Sequence, residues 1–340
     1  MSETGSFTPS STLEYLQRIP APEGPPPRPR YWLHALLLVA TLFTTLVMGA
    51  RMQFNFDHNL PALSFADESI PFFPAGWLFS HPARLSAGWP FAATLLLFFL
   101  AHEMGHYITC RHYGIHATLP FFIPFPTPIG TIGAVILIRS KIYSRAALFD
   151  IAVAGPIAGF VLAFAVLLLS LGWAKPAAAA PGPFDLQIGL PLVFYLSHGL
   201  LRVLLPMHGV SGLPLGGLLL HPASVAAWVG MYATALNLLP SGQLDGGHIV
   251  YALAPRAHRR MSWMTVITLV GLGARTYKSN HMNNSWWLWA VVITVMNVLT
   301  IRQRQAPDYP VIPRNRWVWT LLAAVILLLT FTTSPFQASF

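Results

Sequence analysis

About seven stretches of this chain, at roughly 31–50, 89–110, 148–172, 223–242, 258–275, 285–301 and 317–334, run almost wholly apolar, and nothing else constrains its fold as strongly. A bilayer core of about 30 Å is crossed by about 20 apolar residues, because a helix rises about 1.5 Å per residue. In lipid, backbone N–H and C=O groups must pair within their own segment, so such runs fold as helices. Hydrophobic residues make up 54% of the 340 and charged residues 9%, whereas a soluble domain carries about 25% charge. The expected class is an all-α polytopic membrane protein of about seven transmembrane helices.

Basic residues orient these spans, because Lys and Arg collect on the cytoplasmic side. With the N-terminus inside, only Arg51, Arg84, Lys175, Arg202, Arg275 and Lys278 of the 20 Lys and Arg fall in outer segments. The stretch 190–206 is also apolar but is broken by Pro191, His198, Arg202 and Pro206. It reads as a re-entrant or interfacial helix. A true span is the alternative, and it would invert everything after it. The net charge of +9 is dispersed in short clusters between apolar runs, which suits anionic lipid head groups and excludes a nucleic-acid partner. Residues 1–30 hold a proline-rich stretch, Ala21 to Arg30, expected to be a disordered cytoplasmic leader. It lacks the features of a secretory signal or transit peptide, which points to a multi-pass protein of a bacterial cytoplasmic membrane. The lone Cys110 forms no internal disulfide and reads as a small apolar filler.

His102-Glu103-Met104-Gly105-His106 ends the second apolar run. Residues four apart share one helix face, so His102 and His106 can bind one metal ion while Glu103 stays free as a base. Ionisable groups are costly in hydrocarbon, and their presence there marks a functional site. Zinc takes such a pair with one more protein ligand and leaves a position for water, whose pKa falls toward about 7. The third ligand must come from another span at similar depth. Asp245 qualifies, since it follows an apolar run and is succeeded by Gly246 and Gly247, which let the backbone turn closely. In the seven-span layout both His106 and Asp245 lie toward cytoplasmic ends.

One segment is not a helix. Pro120, Pro124, Pro126 and Pro128 break any helix over 119–140, while the β-branched run from Gly130 to Ile138 suits a strand. A small membrane-associated β element near the site is expected, shielded by protein or lining a cavity. Lys175 to His221, rich in Pro, Gly and Ala, reads as an outer loop.

These motifs together resemble the site-2 protease family of intramembrane zinc metallopeptidases. His102 to His106, Asn237-x-x-Pro240 with Asp245-Gly246-Gly247, and Ala154-Gly155-Pro156 with Gly159 match the family's motifs in order, over about 90–255. The resemblance implies a zinc metalloendopeptidase with one Zn2+ per chain, held by His102, His106 and Asp245, with Glu103 as general base. It implies that Gly130, Thr131, Ile132 and Gly133 belong to a strand that pairs with an unwound substrate segment, and that Asn237 lies near the substrate backbone or oxyanion. The substrates would be transmembrane segments of other proteins. An integral membrane peptidase domain over 31–340 is expected, with a catalytic core at about 89–255 and supporting helices at about 258–334. An outer loop of about 50 residues is short for a PDZ fold, and no cytoplasmic segment suits a pair of CBS domains, so the chain resembles the branch lacking both. Two rivals share the metal site: an enzyme acting on a lipid or small molecule, and a non-catalytic metal-binding scaffold or transporter. A pairing strand argues against the first and an intact Glu103 against the second.

Overall fold

Nine helices of nine residues or more, and two shorter ones, order the described residues of the computed structural model, which describes residues 30–338 apart from 66, 68, 143, 178–184, 205–211, 280–284 and 301–315. They are α1 (Tyr31–Asp57), α2 (Trp89–His112), α3 (Arg145–Leu171), α4 (Leu192–Leu204), α5 (Pro222–Asn237), α6 (Asp245–Leu253), α7 (Pro255–Ser279), α8 (Ser285–Thr300) and α9 (Trp317–Thr330), with short turns at Ala75–Phe79 and Arg84–Ala87. Residues 1–29 of the expected leader lie outside the described residues, as do Arg302, Arg304 and Arg314.

Local chemistry sets several of these ends. Pro90 occupies the first turn of α2, where no N–H is required. Ser144 caps α3 by accepting the Ala147 N–H at 3.3 Å. His221 does the same for α5, its Nδ1 accepting from Ala223, with Pro222 next in the chain. Past Asn237 the helix cannot continue, because Pro240 excludes the helical conformation around it. The expected span at 223–242 is therefore shorter, and a turn from Leu238 to Leu244 separates it from α6.

Helices stand at all seven expected positions, yet among the described residues only α1, α2 and α3 are long and apolar enough to cross a membrane. The reasons are specific. With 16 residues α5 reaches only about 24 Å, α9 has 14, and the described part of α8 has 16. Although 25 residues long, α7 begins with Arg256, Arg259 and Arg260. The described part of α4 is 13 residues long.

In the core, α2 packs along α3, and both meet α5. Phe91, Leu95, Phe98, Leu167, Trp228 and Met231 fill the junction. Next, α6 packs on α3, α7 pairs with α8 around the buried Trp286 and Leu269, and α9 lies against α3 and α5. Many apolar side chains point outward, among them Val39, Val161, Leu169, Leu288 and Leu328. Such a surface is suited to lipid contact rather than to water.

The expected β element is a hairpin. Strand β1 (Phe121–Pro124) pairs antiparallel with β2 (Thr131–Val135), Phe122 opposite Ala134, with an irregularity at Ile123/Pro124. Helix α1 holds it, through His34, which stacks on Phe121 at 3.9 Å and approaches the Pro120 carbonyl at 3.1 Å. The expected loop from Lys175 to His221 holds more structure than its composition announces. Besides α4, it supplies Lys175–Pro176, paired with Leu218–Leu219, and Leu186–Ile188, paired with Phe336–Ala338. Among the described residues the fold is mostly helical with three small sheets rather than one.

A polar clasp ties α9 to the end of α2. The Arg316 guanidinium donates to both oxygens of Asp150, at 2.8 and 2.6 Å, and to the Tyr113 hydroxyl at 3.3 Å. Tyr113 in turn donates to Asp150. Hydrogen bonds to charged groups contribute about 1.5–3 kcal/mol, and partial exposure reduces this. Arg316→Ala should lower thermal stability by about 1–2 kcal/mol. In a double-mutant cycle with Tyr113→Phe the losses should be less than additive, because both side chains share Asp150. Strict additivity in a detergent melting series would show that they act independently.

Candidate metal centre

Near the middle of the bundle the HExxH helix turns His102 and His106 toward the first residue of α6. His102 Nε2 and His106 Nε2 are 3.2 Å apart, and each lies 3.4 Å from Asp245 Oδ2. Both imidazoles are buried and Asp245 is nearly so. Together the two histidines and the aspartate could hold a metal ion. The dimensions suit zinc: ligand bonds of about 2.0–2.1 Å at tetrahedral angles separate donor atoms by about 3.3–3.4 Å.

The hydrogen bonding agrees. His106 Nδ1 lies 2.7 Å from the Ile151 carbonyl, which can only accept, so Nδ1 carries the proton. A neutral ring then presents the lone pair of Nε2 to the other two groups. A carbonyl behind a ligating histidine is the usual device for fixing tautomer and orientation. His102 Nδ1, by contrast, is buried without a hydrogen-bond partner.

Helix α3 forms the floor of the site by lacking side chains there. A Cβ at Gly155 would overlap the His106 ring, and one at Gly159 would stand 2.8 Å from Phe98 and 3.2 Å from His102 Nδ1. Two glycines four apart therefore let α3 approach the ligand face of α2 directly.

Glu103, also buried, accepts at Oε2 from the Ile136 N–H at 2.9 Å. That N–H points away from β1. By the two-residue alternation of a strand, the backbone groups of Ala134 face the same way. The edge of β2 that β1 leaves open is thus turned toward Glu103. Asn237, the last residue of α5, brings Nδ2 to 3.3 Å from His102 Nε2.

The residues expected along the strand divide by role. Thr131 is buried, its hydroxyl donating to the Ile123 carbonyl and accepting from the Gly133 N–H, so it holds the hairpin together. Gly130 packs on the backbone of α1 at Thr44, and Gly133 lies on the Phe99 ring. Ile132 alone of these four exposes its side chain. The backbone groups of Ile136 and Ile151, which touch the site most directly, are not among the expected site residues. No side-chain motif announces a backbone N–H or C=O.

Residues 90–273 match the family model described as Peptidase family M50. The chain belongs to this family, that of the site-2 proteases. A protein named probable zinc metalloprotease EGY1, chloroplastic, from Oryza sativa subsp. japonica is 29% identical over 291 residues, 84% of this chain and 48% of that protein. The Arabidopsis thaliana protein of the same name is 28% identical over 322 residues, 92% of this chain and 54% of its own length. Probable zinc metalloprotease EGY2, chloroplastic, from Oryza sativa subsp. indica is 33% identical over 195 residues, 56% of this chain and 33% of that protein. The chain thus spans about half the length, or less, of the curated relatives it matches. Their names speak for plastid proteins and lend nothing to the bacterial membrane expected above.

The contact between Gly155 and His106 yields a direct test. Gly155→Ala should displace the ring and weaken metal retention about tenfold or more. Gly271→Ala, in a helix with open space around it, should leave retention unchanged. Equal metal content in both purified variants, at the same chelator concentration, would show that the ring has room to spare.

Proposed function

We propose that this chain is an intramembrane zinc endopeptidase, cleaving peptide bonds in or near the transmembrane segments of other membrane proteins. The observation that carries the reading is the triangle of His102, His106 and Asp245 beside Glu103, whose carboxylate is held by the N–H of Ile136. One zinc per chain would sit on those three side chains. When bound, zinc supplies Lewis acidity and a water acidified to a pKa near about 7.

The protein's own groups account for the rest of the reaction. Glu103 takes the proton of the attacking water and delivers it to the leaving nitrogen as the C–N bond breaks. The water oxygen and its second proton stay with the new carboxyl group, and the released amine keeps the first proton. Asn237, whose Nδ2 lies 3.3 Å from His102 Nε2, supports a role as donor to a substrate carbonyl. A helical substrate has its carbonyls occupied, so it must unwind before attack. The open edge of β2 offers such a segment backbone hydrogen bonds, and the exposed Ile132 and Val135 offer it apolar contacts. That edge supports peptide over lipid as the substrate, since a lipid has no strand to pair. Outward apolar helices and the Lys/Arg asymmetry support a multi-pass setting with the N-terminus cytoplasmic and the membrane itself as the surrounding solvent.

Two variants test these roles. Glu103→Gln should retain zinc yet lower cleavage of a reconstituted transmembrane reporter by about 10²–10⁴-fold. Undiminished turnover would remove Glu103 as the base. Ile136→Pro deletes the N–H that holds Glu103 but spares the β1 ladder, since that donor faces away from β1. It should lower the turnover number more than it raises KM, while Ile136→Ala, which keeps the N–H, should stay near wild type. Equal effects of the two would assign the loss to the side chain.

A further inference from the structure

The third member of the triangle does not stand on the HExxH helix, and its aim depends on how the chain enters α6. Asp245 is the first residue of α6, and Leu244 before it offers no side-chain cap. Direction must therefore come from the turn between Leu238 and Leu244. Gly242 in that turn has φ +58, a conformation that other residues adopt at a cost.

Four buried polar side chains are built around this turn, three of them from helices that carry no motif. Ser262 of α7 accepts the Gly242 N–H at Oγ, at 3.2 Å. His258 of α7 brings Nε2 to 3.3 Å from the Gly242 carbonyl. Ser241 Oγ accepts from Asn297 Nδ2 of α8 at 3.2 Å and donates to the Ser262 carbonyl at 3.3 Å. Ser241, His258, Ser262 and Asn297 are at most 5% exposed. The turn transmits this constraint without slack. A Cβ at Gly247 would stand 2.5 Å from the Gly242 carbonyl oxygen and 2.6 Å from that of Ser241, and one at Gly246 would overlap the Leu238 carbonyl. The first turn of α6 thus rests directly on the carbonyls that the network fixes.

We propose that Asn297, together with Ser262 and His258, forms a set of positioning residues for Asp245, fixing the entry to α6 so that its carboxylate meets both imidazoles. Asn297 lies beyond the residues matched by the family model. An amide on an otherwise apolar helix is costly in a bilayer. Thr294, the neighbouring polar residue, satisfies its hydroxyl within its own helix, at the Ala290 carbonyl. Asn297 reaches across to the turn. The supporting helices therefore complete the metal centre from outside the motif-bearing core.

This inference rests on the zinc reading, and the test separates the two. Full-length protein in detergent is dialysed against graded chelator, and bound zinc is measured beside helix content and the melting temperature of the metal-free form. Asn297→Leu and Ser262→Ala should retain zinc about 10–100-fold more weakly at unchanged helix content, the range usual for groups behind a metal ligand. Thr294→Ala should match wild type. A merely structural network would lower the metal-free melting temperature and leave zinc affinity alone. Wild-type zinc affinity in both variants overturns the proposal. Should Asn297→Leu fail to fold, Ser262→Ala decides. Absence of zinc from wild type and Thr294→Ala alike would refute the zinc reading, and this inference would fall with it.

Discussion

Two imidazoles and a carboxylate crowded within 3.4 Å of one another, inside an apolar bundle, set the terms for everything around them. Their lone pairs repel, and no bulk water is at hand to screen them. A cation between them removes that repulsion, but only if each group is held before the cation arrives. A ligand free to swing away would relax to its own hydrogen bonds instead. The surrounding structure is best understood as what denies each group that relaxation.

Helix α3 carries most of this restraint. Its Ile151 carbonyl fixes the His106 ring, Gly155 leaves room for that ring, and Gly159 admits Phe98 and His102. Asp150, next to Ile151, is gripped by Arg316 and Tyr113, so the same helix is joined to α9 and to the end of α2. On the opposite side, the turn before Asp245 is held by α7 and α8. The three side chains come from two helices, and α3, α5, α7 and α8 add contacts to them or to the turn before Asp245. Supporting helices thus contribute chemistry without presenting a motif.

What could be read from the sequence follows from which physics side-chain identity records. His102, Glu103 and His106 announce themselves by spacing, and Asp245 by its glycines and its distance down the chain, so the triangle was legible. The hairpin was legible too, because four prolines forbid a helix and a β-branched run favours a strand. The donors and acceptors that orient these groups were not, since Ile136 and Ile151 act through main-chain atoms common to every residue. Hydropathy also overstates spans. It registers the apolar character of 223–242 but not that α5 stops at Asn237, which depends on local backbone limits near Pro240. Nothing in the sequence marks Asn297, because its partner, Ser241, is 56 positions away.

The contact between Glu103 and Ile136 joins the two halves of the proposed chemistry. A carboxylate in an apolar site needs a donor to stay oriented, and the one it uses is the backbone N–H just past β2 rather than a side chain. The same strand edge is the surface on which an unwound substrate segment would be recognised. Any movement of β2 on pairing is therefore felt at the base through one hydrogen bond, without an intervening side chain to absorb it. His34 of α1 stacks on Phe121 and approaches the Pro120 carbonyl, which anchors the hairpin beside Glu103. Pre-organisation of this kind costs little at the moment of reaction, because the donor is already aligned. It also explains why an apolar helical protein retains a short, proline-flanked hairpin at the level of its most polar site.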